Sequence, residues 1–354
     1  MSTVIGLDIG FETVKMVSLS PAGKKWRLDG MAIGNCPKDS WKPDQLNNVD
    51  EIAEAVKATM KAGKPHAISG RHAMVALPES VIFSATFSVP YMADPELKQA
   101  LPLMIAEKLS IEIDEYHFDY EEIKSQCNPV VDEILPPKKE PAAAEKVKDK
   151  GDKPPEPGVA TDQDREHPNI AIFAIAAKKT LIASIIELCK KADLSLAGID
   201  IKPGAIARAV VDSDDQLPRL IIDMGVGGTG ASIAEGKSLR VTSIIPWGTN
   251  VIGENINGPV ENLRATAAPV FDELIHITRF FENRVCPGVK IKEIIISGSG
   301  ANITNLADTF KQETGLPTKL ANPFAKIETS HFEVPKQLFH TFSDAIGLAM
   351  RDIK

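Results

Sequence analysis

The 354-residue sequence is poor in cysteine and in aromatic residues, and it contains no long apolar segment. Its four cysteines include no CxxC pair, so we expect reduced structural thiols rather than a disulfide framework or a zinc site. The longest apolar run, residues 170–177, is far shorter than the roughly 20 residues that span a bilayer. The first residues lack the charged and apolar regions of a signal peptide. We therefore expect a soluble cytoplasmic protein that reaches the membrane only through a partner.

Patterns typical of several functional classes are also missing. The formal net charge of −8 and the lack of a Lys/Arg stripe with interleaved aromatic residues argue against a nucleic-acid partner. The seven histidines show no metal-ligand spacing. Neither an HExxH zinc motif nor a nucleophile elbow occurs. The sequence therefore gives no support to a metallohydrolase, a serine hydrolase or a nucleic-acid-binding protein.

An acid followed by a glycine stands near the start of the chain. Residues 4–8 form an apolar run that ends in Asp8, Gly10 follows in a tight turn, and residues 14–18 begin a second strand. Glycine tolerates positive φ, and successive N–H groups in such a turn can bind an anion. Asp8 could hold a hydrated divalent cation. A single copy of this pattern is more often a plain turn.

A second copy makes the pattern informative. Residues 220–222 lead to Asp223, Gly225 follows two residues later, and a predicted hairpin comes next, as in the first copy. A self-similar unit that opens each half of a chain indicates internal duplication. A third buried strand, at residues 293–297, leads through glycines into a helix whose N-terminus would face the same cleft. We predict two α/β units that face each other, with Asp8 and Asp223 at facing strand ends.

The composition changes between residues 78 and 177. A strand at 81–89, a helix at 95–109 with Asp94 as its N-cap, and a strand at 116–123 predict an α+β subdomain inserted into the first half. Pro102 should kink or split the helix. Residues 136–168 are rich in Pro, Lys, Glu and Asp and should form a flexible loop. A tolerated surface insertion and a partner-binding tail both remain open for this loop.

The predicted domain division has three parts. The first lobe comprises residues 1–77 and 178–216, with a C-terminal helix in 335–354 that packs back on it. The inserted subdomain comprises residues 78–177. The second lobe comprises residues 217–334.

With these features in place, the chain resembles the actin-like ATPase superfold, and the inserted block makes it similar to the PilM family of type IV pilus assembly proteins, relatives of FtsA. The likeness spans nearly the whole chain apart from residues 136–168. The segments that carry it are residues 6–10, 14–15, 77–78, 83–90, 96–109, 120, 223–229, 245–248, 297–301, 315–317, 321–324 and 345–349. The resemblance implies an α/β, actin-like (duplicated ribonuclease H-like) two-lobed fold with an FtsA/PilM-type inserted α+β subdomain.

The resemblance also implies a bound ATP with Mg²⁺. The residues that it assigns to nucleotide binding are Asp8, Gly10, Thr13 and Lys15 in the first phosphate loop, Asp223, Gly225, Gly228 and Thr229 in the second, and Gly298, Ser299 and Gly300 in the adenosine-side turn. Asp8 and Asp223 would hold the Mg²⁺, mostly through water.

Two departures from the family pattern bear on this site. The turn after Gly10 carries Phe11 and Glu12 where small hydroxyl residues are usual, and the family's extra helical segment is reduced to residues 260–267. No water-orienting base stands out, and Glu12 and Glu254 are candidates on position alone. We therefore expect a structural protein that is at most a weak ATPase.

The resemblance further implies partners in a membrane-associated machine. They are the N-terminal cytoplasmic tail of a PilN-like inner-membrane protein, bound as an extended peptide in a groove beside the inserted subdomain, and components of the pilus motor ATPase. Phe83 and Phe87 are candidates for that groove, and core packing is the alternative. Homo-oligomerisation stays open.

Three functions remain. We expect a scaffold of a type IV pilus or related type II secretion machine, located at the inner-membrane face. An FtsA-like filament-forming ATPase is the first alternative, although the chain shows no amphipathic membrane-targeting helix at its end. A small-molecule kinase of the same superfold is the second, although no residue stands out as the base for a sugar hydroxyl.

Overall fold

The computed structural model describes residues 4–23, 25–123, 169–212, 214–252, 260–330 and 332–351. The strands are β1 Val4–Ile9, β2 Thr13–Ala22, β3 Lys25–Asn35, β4 Lys64–Pro65, β5 His72–Leu77, β6 Ile82–Val89, β7 Tyr116–Glu122, β8 Ile170–Lys178, β9 Ser195–Ile201, β10 Pro218–Met224, β11 Thr229–Glu235, β12 Ser238–Ile245, β13 Glu293–Ser297, β14 Thr318–Leu320 and β15 Ile327–Glu328. The α-helices are α1 Val49–Lys61, α2 Asp94–Leu109, α3 Lys179–Lys191, α4 Lys202–Val210, α5 Thr249–Ile252, α6 Val260–Thr266, α7 Ala268–Phe280, α8 Leu306–Thr314 and α9 Ser343–Ala349.

Two sheets repeat one topology. In the first, β3, β2 and β1 form an antiparallel meander, and β5 and β9 continue it in parallel beyond β1. In the second, β12, β11 and β10 form the same meander, and β13 and β14 continue it in parallel beyond β10. The two acid-bearing strands, β1 and β10, therefore occupy equivalent central positions. The duplication that the sequence predicts is present in the fold.

The inserted block forms a third, smaller sheet. Its strand order is β6-β8-β7, and both pairings are antiparallel. Helix α2 packs on this sheet through Leu97, Leu101 and Ile105, which are buried. The sheet also contacts the second sheet, because the Ser84 hydroxyl lies 2.6 Å from that of Thr242 in β12.

Two short helices run between the large sheets. Helix α4 connects β9 of the first sheet to β10 of the second, and α9 packs beside it against β1 and β2. The helices approach so closely that a side-chain carbon on Gly347 would collide with the backbone carbonyl of Ala205. A carbon on Gly6 of β1 would collide in the same way with Ala345 of α9. Because Gly6 and Gly347 have no side chain, β1, α4 and α9 can approach one another this closely.

Three sequence predictions about helices need correction. Helix α2 begins at Asp94 with Ala93 as its cap, and it runs through Pro102 without a break. The helix predicted to follow the strand at 293–297 and its glycines begins only at Leu306, after a 3₁₀ turn. The C-terminal helix predicted within 335–354 is confined to α9, because two 3₁₀ turns precede it. Helix propensity is a weak guide to where a helix ends and to whether its end is a 3₁₀ turn, so it does not reveal these differences.

The expectation of reduced thiols is wrong for Cys286. Cys286 is disulfide-bonded, whereas Cys36 and Cys189 are buried free thiols. Sequence spacing cannot reveal such a bond, because the fold decides which cysteines meet. Within the described ranges, no helix has the length and hydrophobicity needed to cross a membrane. The predicted loop at 136–168 lies outside the described residues, and the division into lobes remains a prediction.

Candidate functional site

Asp8 and Lys15 form the first part of the site because strand register pairs them. They are opposite each other in the antiparallel β1–β2 ladder, so their side chains leave the same face of the sheet. Lys15 Nζ lies 2.8 Å from Oδ2 of Asp8, and both side chains are buried. Lys15, to which the resemblance gives a role in phosphate binding, therefore contacts Asp8, to which it gives a role in Mg²⁺ binding.

Two further charged residues complete this group. Lys202, the first residue of α4, places Nζ 2.9 Å from Oδ1 of Asp8. Asp344 lies in the first turn of α9 and forms ion pairs with both lysines. Its Oδ2 is 2.8 Å from Lys15 Nζ and 3.6 Å from Lys202 Nζ. Lys15 also donates to the carbonyl of Thr341 at 3.0 Å. We call Asp8, Lys15, Lys202 and Asp344 the junction cluster, because it lies where β1, β2, α4 and α9 meet.

Mutual attraction sets the protonation of the junction cluster. Burial alone would raise the pKa of the Asp8 carboxyl, but Lys15 and Lys202 outweigh it and hold that pKa well below its usual range. Burial alone would lower the pKa of both ammonium groups. The carboxylates of Asp8 and Asp344 outweigh it and raise the pKa of Lys15 and that of Lys202. Burial and the Asp8 charge raise the pKa of Asp344 to about 6. Near neutral pH the cluster thus holds two positive and two negative groups.

Sequence reasoning missed Lys202 and Asp344. One signal was available for Lys202, because a lysine at the first position of a helix opposes the helix dipole and needs a nearby carboxylate to offset it. Asp344 carries the opposite sign and suits the first turn of α9. Neither residue lies in a motif, so only the fold reveals that both face Asp8.

The second acid–glycine corner lies against the first. A carbon added to Gly227 would lie 3.0 Å from Cδ2 of the Phe11 ring, so the ring of the first turn packs on the glycine of the second. The half-buried Asp223 carboxylate contributes to the raised pKa of both Lys15 and Lys202. Both predicted corners therefore border one site, as the duplicated pattern suggested.

The polar groups of both turns are largely used within the protein. The Gly10 N–H donates to the carbonyl of Thr13 at 2.7 Å, and the Gly225 N–H donates to that of Gly228 at 3.0 Å. Thr229 is fully buried, and its hydroxyl donates to the carbonyl of Trp247 at 2.7 Å. The Thr229 hydroxyl is therefore already used within the protein, and the phosphate-binding roles of Thr13 and Thr229 stay predictions.

The predicted adenosine-side turn packs directly on the second corner. Gly298 has φ 85°, and a carbon added to it would lie 2.7 Å from Oδ1 of Asp223. Gly300 packs in the same way on the Met224 side chain. Ser299 lies between them and is exposed. The turn is therefore part of the same site, with one hydroxyl on its surface.

Glu79 is a further site residue that sequence reasoning did not find. It follows β5, and its Oε1 occupies the space that a side chain on Gly230 of β11 would need. Burial and the neighbouring Asp223 charge raise the pKa of Glu79 to about 7. Glu79 thus places a second acidic group, besides Asp223, at the second corner.

The two phenylalanines proposed for the partner groove differ. Phe87 is 1% exposed and belongs to the core of the inserted sheet, so it packs rather than presenting a binding surface. Phe83 is half-buried, and its ring lies edge-on to that of Tyr116 with centroids 5.7 Å apart. Only Phe83 remains a candidate for contact with a partner.

The arrangement does not fit a magnesium ion at Asp8. Both oxygens of this carboxylate lie within 3 Å of an ammonium nitrogen, at 2.8 and 2.9 Å, and a divalent cation there would meet two like charges at short range. In the described part of the chain, no three His, Cys, Asp or Glu side chains group as a metal site. Asp223, by contrast, makes no ion pair with any described residue.

Comparison with known proteins identifies the family. The type IV pilus assembly protein PilM family matches residues 6–152 and 267–353. This chain belongs to that family. A solved PilM-PilN type IV pilus biogenesis complex has a chain 18% identical, covering 99% of this chain and 98% of that one with a TM-score of 0.75, which shows the same actin-like fold.

Two further solved structures are similar to this chain at lower TM-scores. The cytoplasmic domain of EpsL from the Vibrio cholerae type II secretion system is 8% identical over 99% of this chain and 97% of that one, with a TM-score of 0.46. MreB5 of Spiroplasma citri bound to AMPPNP is 12% identical over 98% and 95%, with a TM-score of 0.47. The family match leaves out residues 153–266, which include Lys202 and the whole second corner.

Proposed function

We propose that this PilM-family protein is a scaffold at the inner-membrane face of a type IV pilus assembly machine. The observation that carries the proposal is the family match, which includes the first corner, most of the described inserted subdomain and α9. The scaffold binds the N-terminal cytoplasmic tail of a PilN-like inner-membrane protein. It thereby links the membrane part of the machine to the cytoplasmic motor.

The inserted sheet supports an extended mode of peptide binding. Strand β7 is an outer strand, and among the described residues it pairs only with β8. An outer strand presents unpaired N–H and C=O groups that an extended peptide can use. Phe83, on the opposite outer strand β6, offers a partly exposed aromatic side chain near Tyr116 at the start of β7.

A direct binding measurement tests this proposal. A fluorescent peptide with the first residues of the PilN-like protein from the same genome is titrated with the full chain, and anisotropy is followed. The same composition in scrambled order is the control. We expect saturable binding of the native peptide alone. Equal or absent binding of both peptides would contradict the scaffold assignment.

The alternatives predict other results. Sedimenting polymers that form on addition of nucleotide would favour an FtsA-like filament. Rapid phosphorylation of a small sugar would favour a kinase. The expected binding of ATP with Mg²⁺ receives support from the shared fold, but the contacts of Asp8 with Lys15 and Lys202 argue against the metal.

A further inference from the structure

The junction cluster lies where the family resemblance expects magnesium and the nucleotide phosphates. Its four side chains come from the end of β1, the start of β2 and the first turns of α4 and α9. Lys15 bridges the two carboxylates at 2.8 Å each, and Lys202 contacts Asp8 at 2.9 Å. Each charged group of the junction cluster therefore already has an opposite charge beside it.

The charge count explains why this arrangement is complete without a ligand. Two carboxylates and two ammonium groups cancel, so the cluster needs neither an added cation nor an added anion. All four side chains are almost fully buried, with exposed fractions between 0 and 13%, and charges in such surroundings interact far more strongly than they do in water. A Mg²⁺ ion would have to displace one ammonium, and a phosphate would have to displace one carboxylate.

The surrounding turns agree with this view. The leading N–H groups at Gly10 and Gly225 donate to carbonyls within their own turns. The Phe11 ring covers Gly227, and the Glu79 carboxylate lies against Gly230. An incoming polyphosphate would therefore meet the Phe11 ring and the Glu79 carboxylate beside the second corner.

We propose that the ion pairs of Lys15 and Lys202 with Asp8 and Asp344 replace magnesium nucleotide as the link at the crossing of α4 and α9. The protein then holds the end of β1 and the start of β2 to α4 and α9 with its own charges. Its partner binding is independent of nucleotide and of Mg²⁺. This inference goes beyond the scaffold function and does not depend on the identity of the peptide.

The unmodified protein gives the deciding test. Its thermal unfolding midpoint is measured with increasing ATP, ADP or AMPPNP, each with Mg²⁺ and with EDTA. A ligand that binds only the folded state raises the midpoint as its concentration rises. We expect the midpoint to stay unchanged in every titration. A rise with nucleotide that requires Mg²⁺ would overturn the proposal, whether or not a PilN-like tail binds.

A variant tests the role of Lys202 itself. Lys202→Gln removes the ammonium from Oδ1 of Asp8, and we expect Mg²⁺ alone to raise the unfolding midpoint of this variant but not of the parent protein. Lys179→Gln is the matched control, because Lys179 is also the first residue of a helix but is exposed, and among the described residues its ammonium bonds the carbonyl of Asp114. Lys202→Arg keeps the charge and should remain insensitive to Mg²⁺.

Each result of the variant experiment bears on the proposal. A Lys202→Gln protein that folds and ignores Mg²⁺ would show that the ammonium is not what excludes the metal, and would contradict it. A Lys202→Gln protein that fails to fold while Lys202→Arg folds would support the internal ion-pair link. The titration of the unmodified protein decides the question in either case.

Discussion

Lys202 Nζ lies 2.9 Å from Oδ1 of Asp8, and both side chains are buried. This contact joins the first helix that crosses between the large sheets to the end of the first acid-bearing strand. Because Lys15 holds the other oxygen of Asp8, the carboxylate is paired on both sides. The site at the centre of this PilM-family fold is therefore built from protein charges.

Removing Lys15 should be costly. In Lys15→Met, Asp344 keeps the longer ion pair with Lys202, and Asp8 keeps one of its two ammonium partners. We therefore expect a loss of roughly 3–5 kcal/mol in the free energy of unfolding. Urea titration measures it. The exposed control Lys179→Met should change stability by no more than about 0.5 kcal/mol.

A double substitution separates charge from packing. In the double variant Lys15→Met/Asp344→Asn, the carboxylate that lost its partner is also removed. The double variant should therefore lose less free energy of unfolding than the sum of the losses in the two single variants. Strict additivity of the two losses would contradict direct coupling between Lys15 and Asp344.

Glu79 should make stability depend on pH. Its pKa is about 7 in the folded protein against an ordinary value of 4.5, so the folded state binds more protons between these values. Stability should therefore fall as pH rises from about 4.5 to about 7 and stay lower above. The pKa of Asp344 is raised from 3.8 to about 6, so its titration should likewise lower stability as pH rises through this range.

The Glu79→Gln variant isolates this contribution. It should flatten the pH dependence of the unfolding midpoint between pH 5 and 8 and raise stability at pH 8, by on the order of 1 kcal/mol. Glu51→Gln on the exposed face of α1 is the control. An unchanged pH profile in Glu79→Gln would rule out Glu79 as the titrating group.

The close crossing of α4 and α9 predicts a strong effect of one methyl group. Gly347→Ala would collide with the Ala205 carbonyl, so we expect a loss of about 3 kcal/mol or more. Gly204→Ala, in α4 itself, meets nothing closer than 3.5 Å. It should be neutral or stabilise by roughly 0.5–1 kcal/mol through helix propensity. Equal effects of the two variants on urea unfolding would contradict this packing.

The two phenylalanines of β6 should separate folding from partner binding. Phe87→Ala removes a side chain from the core of the inserted sheet and should cost about 3–5 kcal/mol. Phe83→Ala should cost less, because Phe83 is half-buried, and it should weaken binding of the PilN-like tail peptide. Unchanged peptide affinity in Phe83→Ala would place the peptide elsewhere.

The architecture was largely predictable because its signals are local. The acid–glycine corners at Asp8 and Asp223 each follow a buried strand and begin a hairpin, and the fold repeats one strand order around both. The strand at 82–89 and the helix at 94–109 also follow from local apolar spacing. These features are determined by residues that are close in sequence, so the sequence alone predicts them.

The chemistry of the site was not predictable in the same way. Lys15 and Asp344 are 329 residues apart and meet only when α9 packs on β2. The burial of Phe87 depends likewise on which face α2 covers. Burial and pairing give Asp8 two ammonium partners, and both are properties of the assembled fold.

A crystal structure of the protein grown with Mg²⁺ and AMPPNP tests the central claim most directly. The account predicts that Lys202 Nζ and Lys15 Nζ remain within ion-pair distance of Asp8, near the 2.9 and 2.8 Å found here. Density for a magnesium ion at Asp8, with either lysine turned away toward a phosphate, would contradict it.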